Sequence, residues 1–582
     1  MLAGRRRWAA AAWSYPTTSS KSSPRSRGAC ASASGSRTSW AATSTSSRRS
    51  WSASPARSPG AHFAGSGHPS AMTEELVHRV PSTSRAAAGT AAAARPLTID
   101  EGGVWARGRR ATAFGLILTI TLVAFEALAV SVVLPIVAAD LNGLPLYGWV
   151  MSAFFLGNLV GIVAAGRQID ALGPARPFVV GLILFAIGLT VGGLSPAMGV
   201  LVTARAVQGF GAGAIAPVAY VAIGRTFPES IRGQMFAYLS TAWVVPGLIG
   251  PALAGWVALH IGWRVVFLGL LPLIAVAGVL TVPALRRLPQ TLQPPAPGAT
   301  ATEVGTETAG APSLRSAVRL SLGAALVLGG LSPASLVLGL APAGVARSLG
   351  GPTLALIGLP VILLGLSVAV PAFRSLTPPG TLSGASGLPA AVLIRGILTF
   401  SFFGPDTFVP LALQGIRHVD AAQAGLVLTS ATLSWTAGSW IQAHRMPVGG
   451  ERQFIRAGFA IVLVGVALTA TVLSPAVPVW VAVPTWAITG LGMGLSYSPI
   501  SLFVIRKAQP GAEGAATSGL TLADTLGTAL GAGLAGAFVA LAVSFGWEPW
   551  VGVAAAFAAG VAGAAFGLVY AGRLRGDREE RE

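Results

Sequence analysis

The sequence predicts an all-α integral membrane protein, and three observations support this fold class. Of the 582 residues, 53% are hydrophobic and only 10% are charged, whereas soluble proteins carry roughly 25% charged residues. The mean hydropathy is +0.68. Apolar blocks of membrane-spanning length recur along the chain, separated by charged or Pro/Gly-rich segments. Such a chain buries its apolar side chains in lipid rather than in a soluble core.

The first 71 residues differ from the rest of the chain. They contain nineteen serines, nine arginines, one lysine and no acidic residue. No helical or strand periodicity is present, so we predict that residues 1–71 are disordered. A targeting segment would share this composition. The sequence from Met72 onward has an ordinary composition, which favours the alternative that the start of the chain is mis-assigned and that residues 1–71 precede the true start. Residues 72–111 then form a cytoplasmic amino-terminal segment.

A transmembrane helix needs about 20 apolar residues, and twelve blocks clearly meet this length. They lie at 112–135, 147–166, 177–195, 198–222, 236–259, 264–284, 389–413, 421–443, 456–474, 479–504, 515–541 and 548–571. A polar, Pro-rich linker from Leu288 to Pro312 follows the sixth block, and two further apolar blocks lie near 319–343 and 352–373. We predict fourteen spans, with twelve as the alternative.

This order of blocks predicts two similar halves, as in transporters built from parallel repeats. An amino-terminal six-helix bundle would occupy residues 112–285 and a carboxyl-terminal one residues 389–571. Residues 286–388 would supply a cytoplasmic linker and two extra central helices, and residues 572–582 a cytoplasmic tail. Each half also begins with an acidic residue inside an apolar helix, Glu126 and Asp406.

The distribution of arginine predicts the orientation in the membrane. The net charge is +19, and basic residues collect on cytoplasmic loops. With the amino terminus inside, the external loops receive only Arg264, Arg347 and Arg417, while the other loop arginines face the cytoplasm. Inserting two central spans preserves the parity, so both termini are predicted to be cytoplasmic under either count. The positive charge therefore indicates membrane topology rather than a nucleic-acid partner.

The composition also argues against cofactor chemistry. Cys30 is the single cysteine, and the six histidines show no metal-ligand spacing. No nucleotide-binding loop of the form G-x-x-x-x-G-K-[ST] is present. The tail and the linker are too short for a catalytic or signalling domain, so an enzyme or sensor ranks last. We expect no cofactor, no metal and no enzymatic activity.

A glycine-rich loop connects the second and third blocks, from Gly166 to Arg176. Gly166 and Gly173 permit a tight turn and a close helix approach. Asp170, near a helix end, is placed to pair with backbone amides or with a basic group on the other half, which would latch one conformation.

The fourth block contains Arg205, followed by Gln208 and Gly209. An arginine within an apolar helix costs about 2.5–3.5 kcal/mol on insertion scales unless it faces a partner or a water-filled cavity. The sequence therefore favours a functional role for Arg205 over snorkelling near a helix end.

The fifth block carries small residues that allow two helices to touch, and a proline that allows bending. Gly250, Pro251 and Gly255 form the centre of this segment. Generic helix packing is the alternative interpretation. The segment is followed by Trp263 and Arg264 within Gly-Trp-Arg-Val-Val-Phe.

The first block places Glu126 deep in an apolar helix. A carboxylate at this depth is stable mainly when it is protonated or paired, which is the property that a proton carrier requires. The alternative is a structural hydrogen bond between helices.

These four motifs, in this order, resemble the major facilitator superfamily, and specifically its fourteen-span drug:proton antiporter branch. The loop is similar to G-x-x-x-D-x-x-G-x-x-[RK], although basic residues usual in the motif are missing. The fourth block is similar to R-x-x-Q-G-x-G-A, and the fifth to G-P-x-x-G-G, with Ala254 at the first of the paired glycines. Glu126 stands where the branch usually has Asp. The resemblance covers roughly residues 112–285 and implies the major facilitator fold and a proton-coupling role for Arg205.

The second half contains two further acidic residues inside apolar blocks, Asp406 and Asp524. Asp406 is placed to contact a cationic substrate or a proton, whereas Asp524 is equally compatible with a helix-packing hydrogen bond. Arg395 lies near a helix end, so snorkelling to the cytoplasm is favoured there.

Together these features predict a proton-coupled exporter of small amphiphilic or drug-like molecules that works by alternating access. Its partners would be a small-molecule substrate, protons and the lipid bilayer, with no nucleic acid, and it would act as a monomer in the plasma membrane. Proton coupling is assigned to Glu126, Arg205, Asp406 and Asp524. A proton-coupled exporter or symporter of a specific metabolite is the alternative.

Overall fold

The computed structural model describes residues 103–288, 313–332, 351–446, 450–509 and 513–574. Within these ranges every regular element is helical, which confirms the predicted all-α class. The tail of residues 1–71, most of the 72–111 segment and almost all of the Leu288 to Pro312 linker lie outside the described residues.

The α-helices of the described chain follow one another along the sequence, and all but the short α6 are long. They are α1 (Arg110–Asp140), α2 (Tyr147–Leu172), α3 (Ala175–Gly193), α4 (Met198–Thr226), α5 (Glu229–His260), α6 (Trp263–Leu268), α7 (Leu271–Arg286), α8 (Leu314–Leu331), α9 (Gly351–Leu376), α10 (Leu388–Leu411), α11 (Ala421–Arg445), α12 (Glu451–Ala470), α13 (Ala482–Lys507), α14 (Glu513–Ser544) and α15 (Pro549–Tyr570).

Thirteen helical segments of the described chain are long and apolar enough to cross a membrane. Helices α6 and α7 together form one of them. This span is divided into two helices because Pro272, in the first turn of α7, has no backbone N–H with which to continue α6. Helix α11 has 25 residues and is long enough to cross, but its Ser, Thr and Gln side chains lower its hydropathy. Counting α11 gives fourteen crossings, in agreement with the predicted number. The first central helix ends at Leu331, and residues 333–343 of its predicted range lie outside the described residues.

Helix α1, with 31 residues, is long enough to reach from one membrane surface to the other, so its two ends serve to name the two surfaces. We name the two surfaces the Arg110 face and the Asp140 face. At the Asp140 face, the indole N–H of Trp263 donates to Asp140 Oδ2 at 2.9 Å, and Arg264 Nη1 donates to the same oxygen at 3.0 Å. The Trp-Arg pair seen in the sequence therefore joins the start of α6 to the end of α1.

The two sets of helices, α1–α7 and α10–α15, pack by the same pattern. In the first set α1 packs on α5, and α4 packs on both α2 and α3. In the second set α10 packs on α14, and α13 packs on both α11 and α12. Repeated packing of this kind supports two similar halves of the major facilitator fold. The domain limits remain a prediction.

The sets contact each other mainly through two helix pairs, α5 with α11 and α2 with α14, and to a smaller extent through α1 with α10. Gly148 on α2 faces Gly536 on α14 so closely that a methyl group on Gly148 would lie 2.6 Å from the Gly536 Cα. Nearby, the Ser152 hydroxyl donates to the carbonyl oxygen of Ala529 at 2.9 Å. The Gln414 amide, just past α10, donates to the carbonyl oxygen of Val132 at 2.8 Å. These contacts close the fold toward the Asp140 face.

The extra helices α8 and α9 pack together along the seam between α2 and α14. The Ser321 hydroxyl on α8 donates to the carbonyl oxygen of Leu156 on α2 at 2.6 Å. An apolar cluster joins Leu159 of α2, Leu320 of α8, Phe373 of α9 and Leu522 of α14. The pair therefore contacts both sets of helices without belonging to either.

Candidate functional site

A buried charge cluster lies between α1 and α4. Arg205 Nη1 donates to Glu126 Oε1 in a very short contact, and the two side chains are 0% and 1% exposed. The same nitrogen donates to Gln208 Oε1 at 2.7 Å. The structure thus brings Glu126 of the first-block motif together with Arg205 and Gln208 of the fourth-block motif.

Helix α2 supplies the third wall of this cluster. The guanidinium carbon of Arg205 lies 4.2 Å from the centre of the Phe154 ring, within the range of a cation–π interaction. Arg205 Nε also donates to the carbonyl oxygen of Val150 at 3.4 Å. Gly209 makes this approach possible, since any side chain there would collide with the Phe154 carbonyl group. Helix α4 therefore positions the arginine and lets α2 press against it.

Three polar atoms of the cluster have no hydrogen-bond partner within the described residues. They are Glu126 Oε2, Arg205 Nη2 and Gln208 Nε2, and all three are fully buried. Arg205 thus holds one carboxylate oxygen of Glu126 and leaves the other without a donor. A proton bound at Oε2 would neutralise Glu126 and weaken its attraction for Arg205, so the pair has the chemistry of a proton-sensitive contact.

The carboxyl-terminal set contains a second pair. Arg395 Nε on α10 donates to Asp524 Oδ1 on α14 at 2.8 Å, and Arg395 Nη1 donates to the carbonyl oxygen of Tyr497 on α13 at 2.6 Å. The Arg395 guanidinium lies over the Tyr497 ring, and the Tyr497 hydroxyl donates to Asp524 Oδ2 at 3.2 Å. Arg395 was expected to snorkel to the surface. That interpretation is wrong, because the side chain is 5% exposed and points inward to a partner.

Asp406 lies apart from both pairs. Its Oδ1 accepts a hydrogen bond from the indole N–H of Trp486 on α13 at 3.2 Å. The next residue, Thr407, accepts a hydrogen bond on its carbonyl oxygen from the hydroxyl of Tyr147 on α2 at 3.1 Å. Asp406 therefore lies close to the boundary between the two sets. Sequence reasoning found Asp406 but missed Trp486 and Tyr147, whose types are ordinary in membrane helices.

The structure describes the glycine-rich loop only in part, and the Asp170 side chain is not among the described groups. The latch assigned to Asp170 therefore lies outside the described residues. Gly173 ends α2 with φ +76, a backbone conformation that favours glycine. Gly166 faces open space, and Arg176, in the first turn of α3, is exposed. The geometry thus explains Gly173 by its turn, and gives Gly166 no close-packing role.

The segment around Pro251 on α5 lies at the contact between the two sets. A methyl group on Gly255 would lie 2.7 Å from the carbonyl group of Ala421 on α11, and one on Gly425 would lie 2.8 Å from the Pro251 carbonyl group. Gly250 instead faces the ring of Phe125 on α1, at 3.3 Å from an added methyl group. The motif therefore forms the close contact between α5 and α11.

Comparison with known proteins places this arrangement in a family. Residues 116–532 match the Major Facilitator Superfamily. The chain belongs to this superfamily. A peptide-transporter-family structure, PepTSo, shares the fold with a TM-score of 0.54 at 15% identity, over 79% of this chain and 97% of the other. A bacterial homologue of the human lysosomal transporter Spinster, solved in an inward-facing conformation, gives a TM-score of 0.53 at 15% identity, over 80% and 96%.

Two relatives at higher identity carry transporter names. A probable multidrug-efflux transporter of Mycobacterium tuberculosis is 27% identical over 420 residues, covering 71% of this chain and 84% of the relative. The multidrug transporter protein MdtP of Bacillus subtilis is 28% identical over 423 residues, covering 73% and 74%. This protein is therefore a multi-pass membrane transporter of the Major Facilitator Superfamily, a secondary transporter as the sequence predicted.

Proposed function

We propose that this transporter exports small amphiphilic, drug-like molecules in exchange for protons by alternating access. The observation that carries the proposal is the buried pair of Glu126 and Arg205 between α1 and α4. Ionisable residues in the membrane interior are costly, and those that are present usually mark a pathway for substrate or protons. The names of the relatives in M. tuberculosis and B. subtilis, both multidrug transporters, support the class of substrate.

The coupling follows from the free carboxylate oxygen. A proton entering from outside binds Glu126 at Oε2 and removes the negative charge that holds Arg205. The weaker α1–α4 contact favours rocking of the two sets about the membrane midplane, after which the proton leaves on the inner side. Export is thus driven by the inward proton gradient, and it needs no nucleotide.

The orientation of the protein is part of the proposal. Positive residues concentrate at the Arg110 face, including Arg225 at the end of α4, Arg286 at the end of α7, and Arg506 and Lys507 at the end of α13. The positive-inside rule then makes this face cytoplasmic. Both termini lie in the cytoplasm, and the described conformation, closed toward the Asp140 face, opens inward. We place the protein in the plasma membrane as a monomer.

Transport in everted membrane vesicles tests the proposal. An imposed acidic interior should drive uptake of a fluorescent amphiphile by the wild type, and Glu126→Gln should reduce the initial rate by about tenfold or more, since a group that cannot titrate cannot couple. Asp140→Asn, which alters a half-exposed pair at the helix end, is the matched control and should transport normally. Full gradient-driven transport by Glu126→Gln would contradict the proposal.

A further inference from the structure

The two extra helices carry three arginines at the Arg110 face. Arg315 and Arg319 lie in the first two turns of α8, and Arg374 lies in the last turn of α9. The hydroxyl oxygens of Ser316 on α8 and Ser375 on α9 are 3.0 Å apart, and each serine directly follows one of these arginines. The start of α8 and the end of α9 therefore bring the three arginines to one region of the surface, which we call the arginine cluster.

The arginine cluster has no acidic counter-charge in its own part of the chain. Residues 313–387 contain no Asp or Glu. The three side chains are exposed, and none of them forms an ion pair with the described residues. Arg205, Arg264 and Arg395, by contrast, each have a carboxylate partner. The positive charge of the cluster therefore remains available for an anion from outside the chain.

The arginine cluster borders lipid as well as water. Arg319 lies within one turn of Val318 and Leu322 along α8, and these two side chains are 46% and 55% exposed. An arginine beside lipid-facing residues lays its aliphatic stem on the apolar surface and extends its guanidinium to the level of the headgroups. The anion at this level of a bilayer is the phosphate of a phospholipid.

Helix α9 supplies an apolar surface that leads to the cluster. Of the thirteen apolar segments, its Leu356–Leu376 portion is the least buried. Leu356, Leu359 and Leu363 recur at helical spacing and are 75%, 60% and 59% exposed. Arg374 follows Leu363 by eleven residues, which is about three turns, so it lies on the same side of the helix. Acyl chains that lie along these leucines would place their headgroup beside Arg374.

A cavity lies next to Arg374. Arg374 and the turn from Thr377 to Ser383 line a space of about 390 Å³, which is within the usual size range of ligand pockets. The turn is held in place from the carboxyl-terminal set, because Arg573 Nη1 donates to the carbonyl oxygens of Ser383 and Gly384 at 3.1 and 3.0 Å. A cation and hydroxyl-bearing residues in its lining suit this cavity to a polar headgroup.

We propose that the arginine cluster and this cavity bind the headgroup of an anionic phospholipid whose acyl chains lie along α9. The guanidinium groups neutralise the phosphate, and the exposed leucines contact the chains. The lipid belongs to the leaflet at the Arg110 face, which is the cytoplasmic leaflet in the proposed orientation. The site is separate from Glu126 and Arg205, so the inference goes beyond the proposed function and does not depend on proton coupling.

Native mass spectrometry of the purified full-length protein in detergent tests the inference. Dioleoyl phosphatidylglycerol is the probe, and dioleoyl phosphatidylcholine, which has the same chains and no net charge, is the comparison. The wild type should bind the anionic lipid about tenfold more tightly. Arg319→Gln combined with Arg374→Gln should reduce this preference to about twofold or less, because two of the three charges are lost. Arg319→Lys combined with Arg374→Lys keeps the charges and should retain most of the preference.

Arg456 on α12 provides the matched control. It is the sixth residue of its helix, as Arg319 is of α8, and its side chain is also exposed. Arg456→Gln should bind the anionic lipid as the wild type does. An equal loss in Arg456→Gln and in the double glutamine variant, or no preference in the wild type, would overturn the inference.

Inorganic phosphate distinguishes a lipid site from a site for free anions. Added in excess, it should leave phosphatidylglycerol bound, since it makes no contact with the leucines of α9. Displacement of the lipid by phosphate alone would contradict the inference. These measurements use no proton gradient, so their outcome is independent of the outcome of the transport experiment.

Discussion

Arg395 and Asp524 form a charge pair whose contribution to stability is measurable at the scale of single residues. Removing one partner of a buried pair leaves an uncompensated charge, at a cost of up to about 3 kcal/mol where, as here, one partner is partly exposed. We therefore expect Arg395→Gln to lower the thermal midpoint in detergent, and the double variant Arg395→Gln with Asp524→Asn to recover most of the loss.

The pair of Arg264 and Asp140 provides the control for this prediction. Its side chains are 44% and 46% exposed, and exposed pairs contribute little to stability. Arg264→Gln should leave the midpoint nearly unchanged. A double variant as unstable as Arg395→Gln alone would show that the pair contributes by packing rather than by charge.

At this scale the sequence could identify the charged residues but only some of their partners. Glu126 and Arg205 stand out because each is a charge inside an apolar block. Arg395 and Asp524 are 129 positions apart, and a snorkelling arginine and an inward-facing one have the same local sequence. The Trp486 partner of Asp406 was missed for a similar reason, since tryptophan in a membrane helix is also common at the lipid interface.

At the scale of helices, the contact between α5 and α11 depends on glycine. The backbone of α11 at Ala421 lies so close to Gly255 that an added methyl group would meet it at 2.7 Å. Gly255→Ala should therefore disfavour the conformation closed toward the Asp140 face and reduce transport. Labelling with an impermeant thiol reagent measures this change. In a Cys30→Ser background, a cysteine introduced at Thr429, a residue beside this contact, should react faster in the Gly255→Ala variant than in the protein with Gly255.

Gly224→Ala is the matched control for Gly255→Ala, because Gly224 lies in α4 with nothing within 4 Å of an added methyl group. It should transport normally and leave the introduced cysteine protected. Equal labelling of the two variants would mean that the α5–α11 contact does not depend on Gly255.

The existence of the helices was predictable, but their limits were only partly so. Apolar blocks define where the chain crosses, yet α1 extends from Arg110 to Asp140, beyond the predicted 112–135, because helical hydrogen bonding continues past the apolar core. The sixth predicted span proved to be two helices, since Pro272 interrupts the hydrogen bonds and the hydropathy does not register this.

At the scale of the whole molecule, the symmetry of the two halves is clear in the packing and weak in the sequence. Helices at equivalent positions pack on one another in both sets, while their residue types differ. Packing of this kind needs small residues at the contacts rather than particular ones, so different sequences reach the same arrangement. The position of α8 and α9 on the seam between α2 and α14 could not be predicted, because apolar helices do not reveal their neighbours.

Alternating access requires the contact of α2 with α14 to open in each cycle. A methyl group on Gly533 would lie 2.8 Å from the Ser152 hydroxyl oxygen, so cysteines at these two positions are close enough to form a disulfide. In a Cys30→Ser background, oxidised Ser152→Cys with Gly533→Cys should lose transport and regain it after reduction, because the bond holds the Asp140 face closed. Each single variant should be insensitive to the oxidant. Undiminished transport by the fully cross-linked protein would exclude rocking of the two sets at this contact.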